Sequence, residues 1–241
     1  MPRFQRNVLF AAPPASLSFD ANGVKIHYLL HGTGEPVVLI HGLYSSAAIN
    51  WQWPGTLAAL ARNHLVIALD LPGHGRSDKP DNRAAYGLQM VEDVIQLLDR
   101  LNIKAAHIVG YSMGGIVALK LIADHPDRAV SGTLGGMGWL REGSTLQKVW
   151  ENLALGRRGV TPNVCITSVG QLALTPDALK RIKVPIIILV GDRDPVKKLY
   201  VAPLRAVRSD WPVIEIRGAG HVNCIVKKQF IEEIVQWVDK N

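Results

Sequence analysis

A serine flanked by glycines, in Gly110-Tyr111-Ser112-Met113-Gly114, stands between two apolar stretches of the chain. Residues 105–109 before it predict a buried strand, and residues 115–123 after it predict a helix that stops before Pro126. A strand can turn into a helix within a residue or two only where glycines let the two elements approach closely. The pattern therefore predicts a strand, a tight turn and a helix, with the Ser112 hydroxyl exposed at the turn.

This position makes Ser112 a candidate catalytic nucleophile. The N–H groups that open the following helix point toward whatever the serine attacks, so negative charge forming on a substrate is stabilised there. In a chain with 22 glycines, a glycine-x-serine-x-glycine pattern is by itself a weak signal. The prediction therefore depends on the strand and the helix that flank the serine.

The other apolar segments alternate between strand patterns and helix patterns. A hairpin is predicted over residues 16–31, because Asn22-Gly23 supplies the positive φ of a tight turn. Amphipathic helices are predicted over residues 87–101 and around residues 231–238. Further short apolar runs predict buried strands at residues 36–40, 65–69, 129–134, 185–190 and 213–216. We expect an α/β fold with a mostly parallel central sheet flanked by helices.

One segment, residues 138–183, breaks this alternation. Two helices are predicted inside it, over residues 145–155 and after Thr175-Pro176-Asp177. We expect a small cap or lid insertion within a single domain that covers residues 1–241, because no linker, repeat or charge block divides the chain. An insertion at the edge of the sheet where ligands bind is expected to form a lid or a pocket wall.

Composition and charge disfavour several kinds of partner. The net charge of +7 comes from scattered Lys and Arg pairs without interleaved aromatic residues, so nucleic-acid binding is not expected. No apolar run approaches the roughly 18 residues of a membrane span. Cys165 and Cys224 are too few for a disulfide framework or a zinc site, and we expect buried free thiols. Nothing around Cys224 would lower its thiol pKa, which disfavours a cysteine nucleophile.

The N-terminal residues 1–14 place two arginines before an apolar stretch. The apolar part, residues 8–12, is shorter than the roughly 7 to 15 residues of a secretory signal. We expect a disordered or loosely packed arm and a cytoplasmic protein, monomer or homodimer, with secretion left open.

A nucleophilic serine needs a base within hydrogen-bonding reach and a third group that orients the base. Among eight histidines, His221 is the strongest candidate, because it lies in a glycine-containing loop directly after a predicted strand. Asp192 and Asp194 follow the most apolar strand, and either carboxylate could orient His221. We expect Asp192 to cap the next helix or to pair with Arg193, so Asp194 is favoured.

Five motifs follow one another along the chain: His41-Gly42, Asp70–Ser77, the tight turn of residues 110–114 (the elbow at Ser112), Gly191–Asp194 and Gly220-His221. With these motifs the chain resembles the α/β-hydrolase superfamily over nearly its whole length. The sequence around Ser112 is most similar to the serine esterase and cofactor-free haloperoxidase branch. The order of serine, acid and histidine is also the order of that superfamily.

The resemblance implies that Ser112 is the nucleophile, Asp194 the acid and His221 the base. It also implies an oxyanion hole formed by the backbone N–H groups of Leu43 and Met113. His41 and the loop from Asp70 to Asp78 are implied to be structural supports.

The expected activity is that of a serine carboxylesterase, which hydrolyses small esters through an acyl-enzyme and requires no metal or organic cofactor. Relatives that act on halides or epoxides use an aspartate in place of Ser112, which disfavours those reactions. A carbon–carbon bond hydrolase, a lactonase, a thioesterase and a hydrolase-fold ligand receptor remain alternatives. Side chains of the oxyanion loop and the insertion could line the substrate pocket, with core packing as the alternative for each: Tyr44, Met137, Trp139, Leu140 and Trp150.

Overall fold

A computed structural model describes residues 13–153 and 161–241 of the chain. The expected N-terminal arm lies mostly before residue 13 and so outside the described residues. No helix in the described ranges is both long enough and apolar enough to cross a membrane.

The described residues form one mixed sheet of eight strands in the order β1-β2-β4-β3-β5-β6-β7-β8. The strands are β1 (Ala15–Ala21), β2 (Val24–His31), β3 (Glu35–Ile40), β4 (His64–Leu69), β5 (Ala106–Tyr111), β6 (Ala129–Gly135), β7 (Ile186–Gly191) and β8 (Val213–Ile216). All pairs from β4 to β8 along the sheet are parallel, whereas β2 runs antiparallel to both β1 and β4. The mostly parallel sheet that the sequence predicts is therefore confirmed.

Helices cover both faces of this sheet. They are α1 (Thr56–Leu60), α2 (Leu88–Arg100), α3 (Met113–Asp124), α4 (Thr145–Glu151), α5 (Asn163–Ser168), α6 (Pro176–Arg181), α7 (Ala202–Val207) and α8 (Lys228–Lys240). Apolar side chains of α2 and α3 share one core cluster with the sheet, and those of α1 and α8 share a second cluster with its other face. All six residues of β5 and of β7 are buried, which explains their continuous apolar runs.

The segment between β6 and β7 contains α4, α5 and α6. Its two parts are joined, because the Leu174 N–H donates to the Leu140 carbonyl at 3.0 Å. The helix predicted over residues 145–155 ends early, at Glu151, where the Asn152 side chain donates back to the Lys148 carbonyl at 2.8 Å. Residues 154–160 lie outside the described residues, and the role of the whole segment as a lid stays a prediction.

A buried carboxyl group, that of Asp93, lies on α2 and is 1% exposed. One of its oxygens accepts a hydrogen bond from Gln89 Nε2 at 2.9 Å, and the other has no partner among the described residues. Burial disfavours the charged form and raises the pKa of Asp93 to about 7.

Replacing Asp93 by asparagine is therefore expected to stabilise the protein at pH 8 but not at pH 4. Native Asp93 keeps a proton that the unfolded chain loses above about pH 4, so its contribution to stability falls as the pH rises toward about 7. The interval between the two pKa values corresponds to at most about 4 kcal/mol. Urea unfolding at pH 4, 6 and 8 measures this. Exposed Asp127→Asn is the control, and equal pH slopes for wild type and Asp93→Asn would contradict the prediction.

Candidate active site

The three side chains of the predicted triad all follow strands at one edge of the sheet. Ser112 comes directly after β5, Asp194 follows β7, and His221 follows β8. Because these strands are parallel, their carboxyl ends lie at the same edge, where ligands bind in open α/β sheets. Ser112 and Asp194, 82 positions apart by their numbering, thus meet through the topology of the sheet.

The turn that carries Ser112 has a strained backbone. Ser112 has φ 53° and ψ −119°, and its N–H donates to the Gly135 carbonyl at 2.8 Å. A Cβ on Gly110 would lie 2.1 Å from the Gly114 carbonyl oxygen, and a Cβ on Gly114 would lie 2.2 Å from that of Ile40. The two glycines are therefore required by close backbone packing, which brings the start of α3 against β3 and β5.

A continuous hydrogen-bond relay joins the three side chains. Ser112 Oγ lies 2.9 Å from His221 Nε2, and His221 Nδ1 lies 2.8 Å from Asp194 Oδ2. Asp194 is 3% exposed, and its other oxygen accepts the Val196 N–H at 2.9 Å. A carboxylate only accepts hydrogen bonds, so it places the imidazole hydrogen on Nδ1 and leaves Nε2 free to accept the serine hydroxyl hydrogen.

The hydrogen bonds of Asp192 differ from those that the sequence predicts. Its carboxylate accepts the N–H groups of Gly218 and Ala219 at 3.0 and 3.1 Å, and no ion pair with Arg193 is found in the described parts of the chain. These backbone hydrogen bonds lower the pKa of Asp192. Among the described contacts Asp192 caps no helix, and its hydrogen bonds fix the loop that carries His221, while the nearby Arg193 charge also lowers the pKa of its carboxyl.

Tyr111 also holds His221 in place. Its hydroxyl donates to the His221 carbonyl, and its ring centroid lies 5.7 Å from that of His221. Phe230 of α8 packs edge-on against the same tyrosine ring at 5.6 Å. Burial raises the pKa of Tyr111, so it stays a hydrogen-bond donor. Sequence reasoning missed this residue, whose only local signal is its place beside Ser112.

The backbone next to Ser112 also comes from the loop after β3. A Cβ on Gly42 would lie 3.2 Å from Ser112 Cβ, so this loop contacts the serine directly. Leu43 is the next residue of that loop, and Met113 follows Ser112 at the start of α3. Among the described turn and loop hydrogen bonds, neither of their N–H groups donates to another protein group. Their assignment to an oxyanion hole stays a prediction.

His41 connects the loop after β3 to the backbone that follows β4. It is buried and bridges two backbone segments, because its Nδ1 donates to the Gly42 carbonyl at 2.7 Å and its Nε2 accepts the Leu71 N–H at 3.0 Å. Burial lowers the pKa of His41, which keeps the ring neutral, as both hydrogen bonds require.

The residues predicted to line a substrate pocket divide into two groups. Tyr44 is 42% exposed in the loop after β3, at φ 58°. The others belong to the apolar core or pack against it, and the two tryptophans donate their ring N–H to the Leu174 carbonyl and to Tyr200: Met137, Trp139, Leu140 and Trp150. Contact of any of them with a substrate stays a prediction.

The cysteines are both buried and free. Burial raises the pKa of the Cys224 thiol to about 12, so this residue is not a thiolate and does not compete with Ser112 as a nucleophile. In residues 13–153 and 161–241, no group of three or more His, Cys, Asp or Glu side chains is arranged to hold a metal ion.

Comparison with known proteins identifies relatives. A family model described as the alpha/beta hydrolase fold matches residues 35–170. Over 113 residues the chain is 42% identical to the dihydrolipoyllysine-residue acetyltransferase component of an acetoin cleaving system from Cupriavidus necator. This alignment covers 46% of the chain and 29% of that protein. Over 108 residues the chain is 42% identical to a putative carbamate hydrolase, RutD, from Variovorax paradoxus. That alignment covers 44% of the chain and 40% of the relative.

A solved structure extends the likeness to nearly the whole chain. The 2-hydroxy-6-oxo-6-phenylhexa-2,4-dienoate hydrolase of Rhodococcus sp. strain RHA1 aligns with a TM-score of 0.76 and 21% identity, over 95% of this chain and 99% of that one. At this identity the likeness shows a shared fold. The matched region spans less than half the length of either curated relative.

Proposed function

The chain belongs to the alpha/beta hydrolase family, and on this premise we propose that it is a serine carboxylesterase that hydrolyses short-chain carboxylic esters through an acyl-enzyme. One observation carries the proposal. Ser112 lies at a strained turn and is joined to Asp194 through His221 by hydrogen bonds of 2.9 and 2.8 Å. In this arrangement His221 Nε2 can accept the Ser112 hydroxyl proton while Asp194 orients the imidazole, as a nucleophilic serine needs.

In the first half of the proposed reaction, Ser112 Oγ bonds to the ester carbonyl carbon while His221 Nε2 takes the hydroxyl proton. The carbonyl oxygen becomes negative and is stabilised by the N–H groups of Leu43 and Met113. His221 then gives its proton to the departing alkoxide, the carbon–oxygen bond breaks, and the acyl group stays on Ser112.

In the second half, water attacks the acyl carbon while His221 accepts its proton. The acid leaves and Ser112 regains its hydrogen. The buried Asp194 carboxylate stabilises the imidazolium in both halves and keeps its ring in one orientation. The Tyr111 hydroxyl and the Asp192 carboxylate hold the loop of His221, so the imidazole meets Ser112 with little loss of conformational freedom.

The preference for small substrates rests on the segment between β6 and β7. Its helices α4, α5 and α6 are only six or seven residues long, and Trp139 and Leu140 are buried in the core. In residues 136–153 and 161–185, the described part of this segment, such short helices offer little cover for a long acyl chain. Lactones and thioesters present a similar electrophilic carbonyl and are further substrates of the same mechanism.

Carbamate hydrolysis is a second candidate. It is favoured by the 42% identity over 108 residues to a protein named as a putative carbamate hydrolase. Ser112 attacks a carbamate carbonyl carbon in the same way; the carbon–nitrogen or carbon–oxygen bond then breaks, and the amine or alcohol leaves with the proton that His221 held.

Hydrolysis of p-nitrophenyl acetate, butyrate, octanoate and laurate, with a p-nitrophenyl carbamate in parallel, tests the proposal. We expect a burst of one p-nitrophenolate per enzyme from the acyl-enzyme, and a kcat/KM at least about tenfold higher for butyrate than for laurate. Turnover of the carbamate alone would support the second candidate. Rates equal to buffer for all five compounds would contradict a hydrolase, and ligand binding without turnover would support the receptor alternative.

A further inference from the structure

A second relay of serine, histidine and aspartate lies on the first hairpin, separate from Ser112. Ser16 Oγ is 2.8 Å from His27 Nε2, and His27 Nδ1 is 2.8 Å from Asp70 Oδ2. These distances match those of the Ser112 relay, and the same imidazole nitrogen faces the serine in both. Strands β4 and β3 separate β2 from β5, so the two relays are separate sites.

The hydrogen bonds around Asp70 determine where the protons lie. Asp70 Oδ1 accepts the Ala47 N–H at 2.7 Å, and Oδ2 accepts the Arg76 N–H at 2.9 Å as well as His27 Nδ1. Asp70 is buried and acts only as an acceptor in these contacts, so the His27 hydrogen lies on Nδ1. Nε2 of His27 is therefore the acceptor for the hydroxyl of Ser16.

Arg76 completes the arrangement from the solvent side. Its Nη1 donates to Ser16 Oγ at 3.0 Å. Because the serine oxygen already accepts this hydrogen bond, its own hydrogen is free to point to His27 Nε2. The guanidinium charge also favours negative charge on the oxygen that it contacts.

The frame that holds His27 is rigid. The His27 N–H donates to Ser77 Oγ at 2.8 Å, and the Ser77 hydroxyl donates to the Asp70 carbonyl at 2.6 Å. The Asp70 N–H donates in turn to the His27 carbonyl at 2.8 Å. Ser16, in contrast, lies on the edge strand β1 and is exposed. The base is thus fixed while the hydroxyl is open to solvent.

A cavity of about 260 Å³ lies beside this hydroxyl. Its walls include Ser16, His27, Ser46, Gln52, Asp70 and Arg76. The cavity is large enough for a small ester, and the three side chains of the relay and Arg76 all belong to its lining.

We propose that Ser16 is a second reactive nucleophile, activated by His27 and Arg76, that takes small acyl or phosphoryl esters in this cavity. In the reaction, Ser16 Oγ bonds to the carbonyl carbon or the phosphorus, its proton passes to His27 Nε2, and the leaving group departs and takes up that proton. The Arg76 guanidinium lies 3.0 Å from Ser16 Oγ, so it favours the negative charge that this oxygen gains as its proton moves to His27.

Labelling with an alkyl fluorophosphonate tests the reactivity of Ser16. The Ser112→Ala background is used because it removes the nucleophile of the other relay. The tryptic peptide of residues 7–25 contains both Ser16 and Ser18, so one spectrum compares them. Ser18 is the matched control, because it is exposed on the same strand, directly opposite His27 in register, and has no described hydrogen bond to it. We expect the Ser16 adduct to form at least about tenfold faster than the Ser18 adduct.

The activating residues give the second arm of the test. In the Ser112→Ala background, His27→Gln is expected to slow labelling of Ser16 by about 100-fold, because the base is lost. Arg76→Gln, at an exposed position, keeps the buried frame intact and is expected to slow labelling several-fold, even where His27→Gln does not fold. Labelling of Ser16 no faster than Ser18, or unchanged by Arg76→Gln, would overturn the proposal.

Discussion

Replacing Ser112 by alanine is expected to lower kcat for p-nitrophenyl butyrate by about 10⁴- to 10⁶-fold. The variant lacks the oxygen that forms the acyl-enzyme, and the 2.9 Å contact with His221 Nε2 is lost with it. The fold should persist, since alanine differs from serine by that oxygen alone and its backbone N–H still donates to Gly135. Steady-state rates, with circular dichroism to verify folding, measure the effect.

Ser131→Ala is the matched control for this substitution. Ser131 Oγ also contacts a histidine, His107 Nδ1 at 2.8 Å, but it lies on β6 and is 1% exposed, out of reach of a substrate. We expect its kcat within about twofold of wild type and a stability loss of about 1 kcal/mol. Comparable activity losses in Ser112→Ala and Ser131→Ala would mean that Ser112 acts through stability alone.

The centre of the sheet was predictable because strands such as β5 and β7 are buried on both faces. A strand such as β7, with every residue buried, has to be apolar along its length, and the shortness of its six-residue run favours a strand over a helix. The elbow at Ser112 was predictable for a related reason, since the close approach of α3 to β3 and β5 admits only glycine at positions 110 and 114.

The order of the strands had no local signal. β4 lies between β2 and β3 in the sheet although it follows both in the chain. The end of α4 was also misplaced: both the backbone N–H and the side chain of Asn152 donate to the Lys148 carbonyl, which the apolar pattern does not show. Boundaries of this kind are decided by side-chain contacts that periodicity does not report.

The residues around the triad show the same limit. Asp192 was expected to act on its own neighbours, but it binds the backbone of Gly218 and Ala219, which are remote in the chain. The contact of Tyr111 with His221 joins residues 110 positions apart in the chain. Such contacts arise where strand ends meet at one edge of the sheet, so they depend on topology rather than on the residues beside them.

The second relay was hidden for this reason as well. His27 shows only the pattern of a strand, and Asp70 opens a motif that the resemblance implies to be a structural support. Pairing of β2 with β4 brings them together, because Tyr28 lies opposite Leu69 in that register. The relay of Ser16, His27 and Asp70 thus depends on strand pairing, which the sequence around each residue does not reveal.

Replacing Asp194 by asparagine is expected to lower kcat by about 10⁴-fold while the geometry is retained. The Val196 N–H needs an acceptor and is expected to select the amide oxygen, which turns the amide nitrogen toward His221 Nδ1. That nitrogen donates, so the imidazole hydrogen moves to Nε2, where it opposes the Ser112 hydroxyl. Measured kcat of the purified variant, at a pH where wild type is fully active, tests the size of the loss.

Asp192→Asn is the control that separates the two neighbouring carboxylates. Asp192 binds the N–H groups of Gly218 and Ala219 and has no described contact with the imidazole, so we expect a loss of about tenfold or less from a looser His221 loop. The asparagine oxygen still accepts one of these two hydrogen bonds. A larger loss of kcat in Asp192→Asn than in Asp194→Asn would assign the role of the acid to Asp192. Only replacement of the group that fixes the imidazole tautomer is expected to lower kcat by about 10⁴-fold.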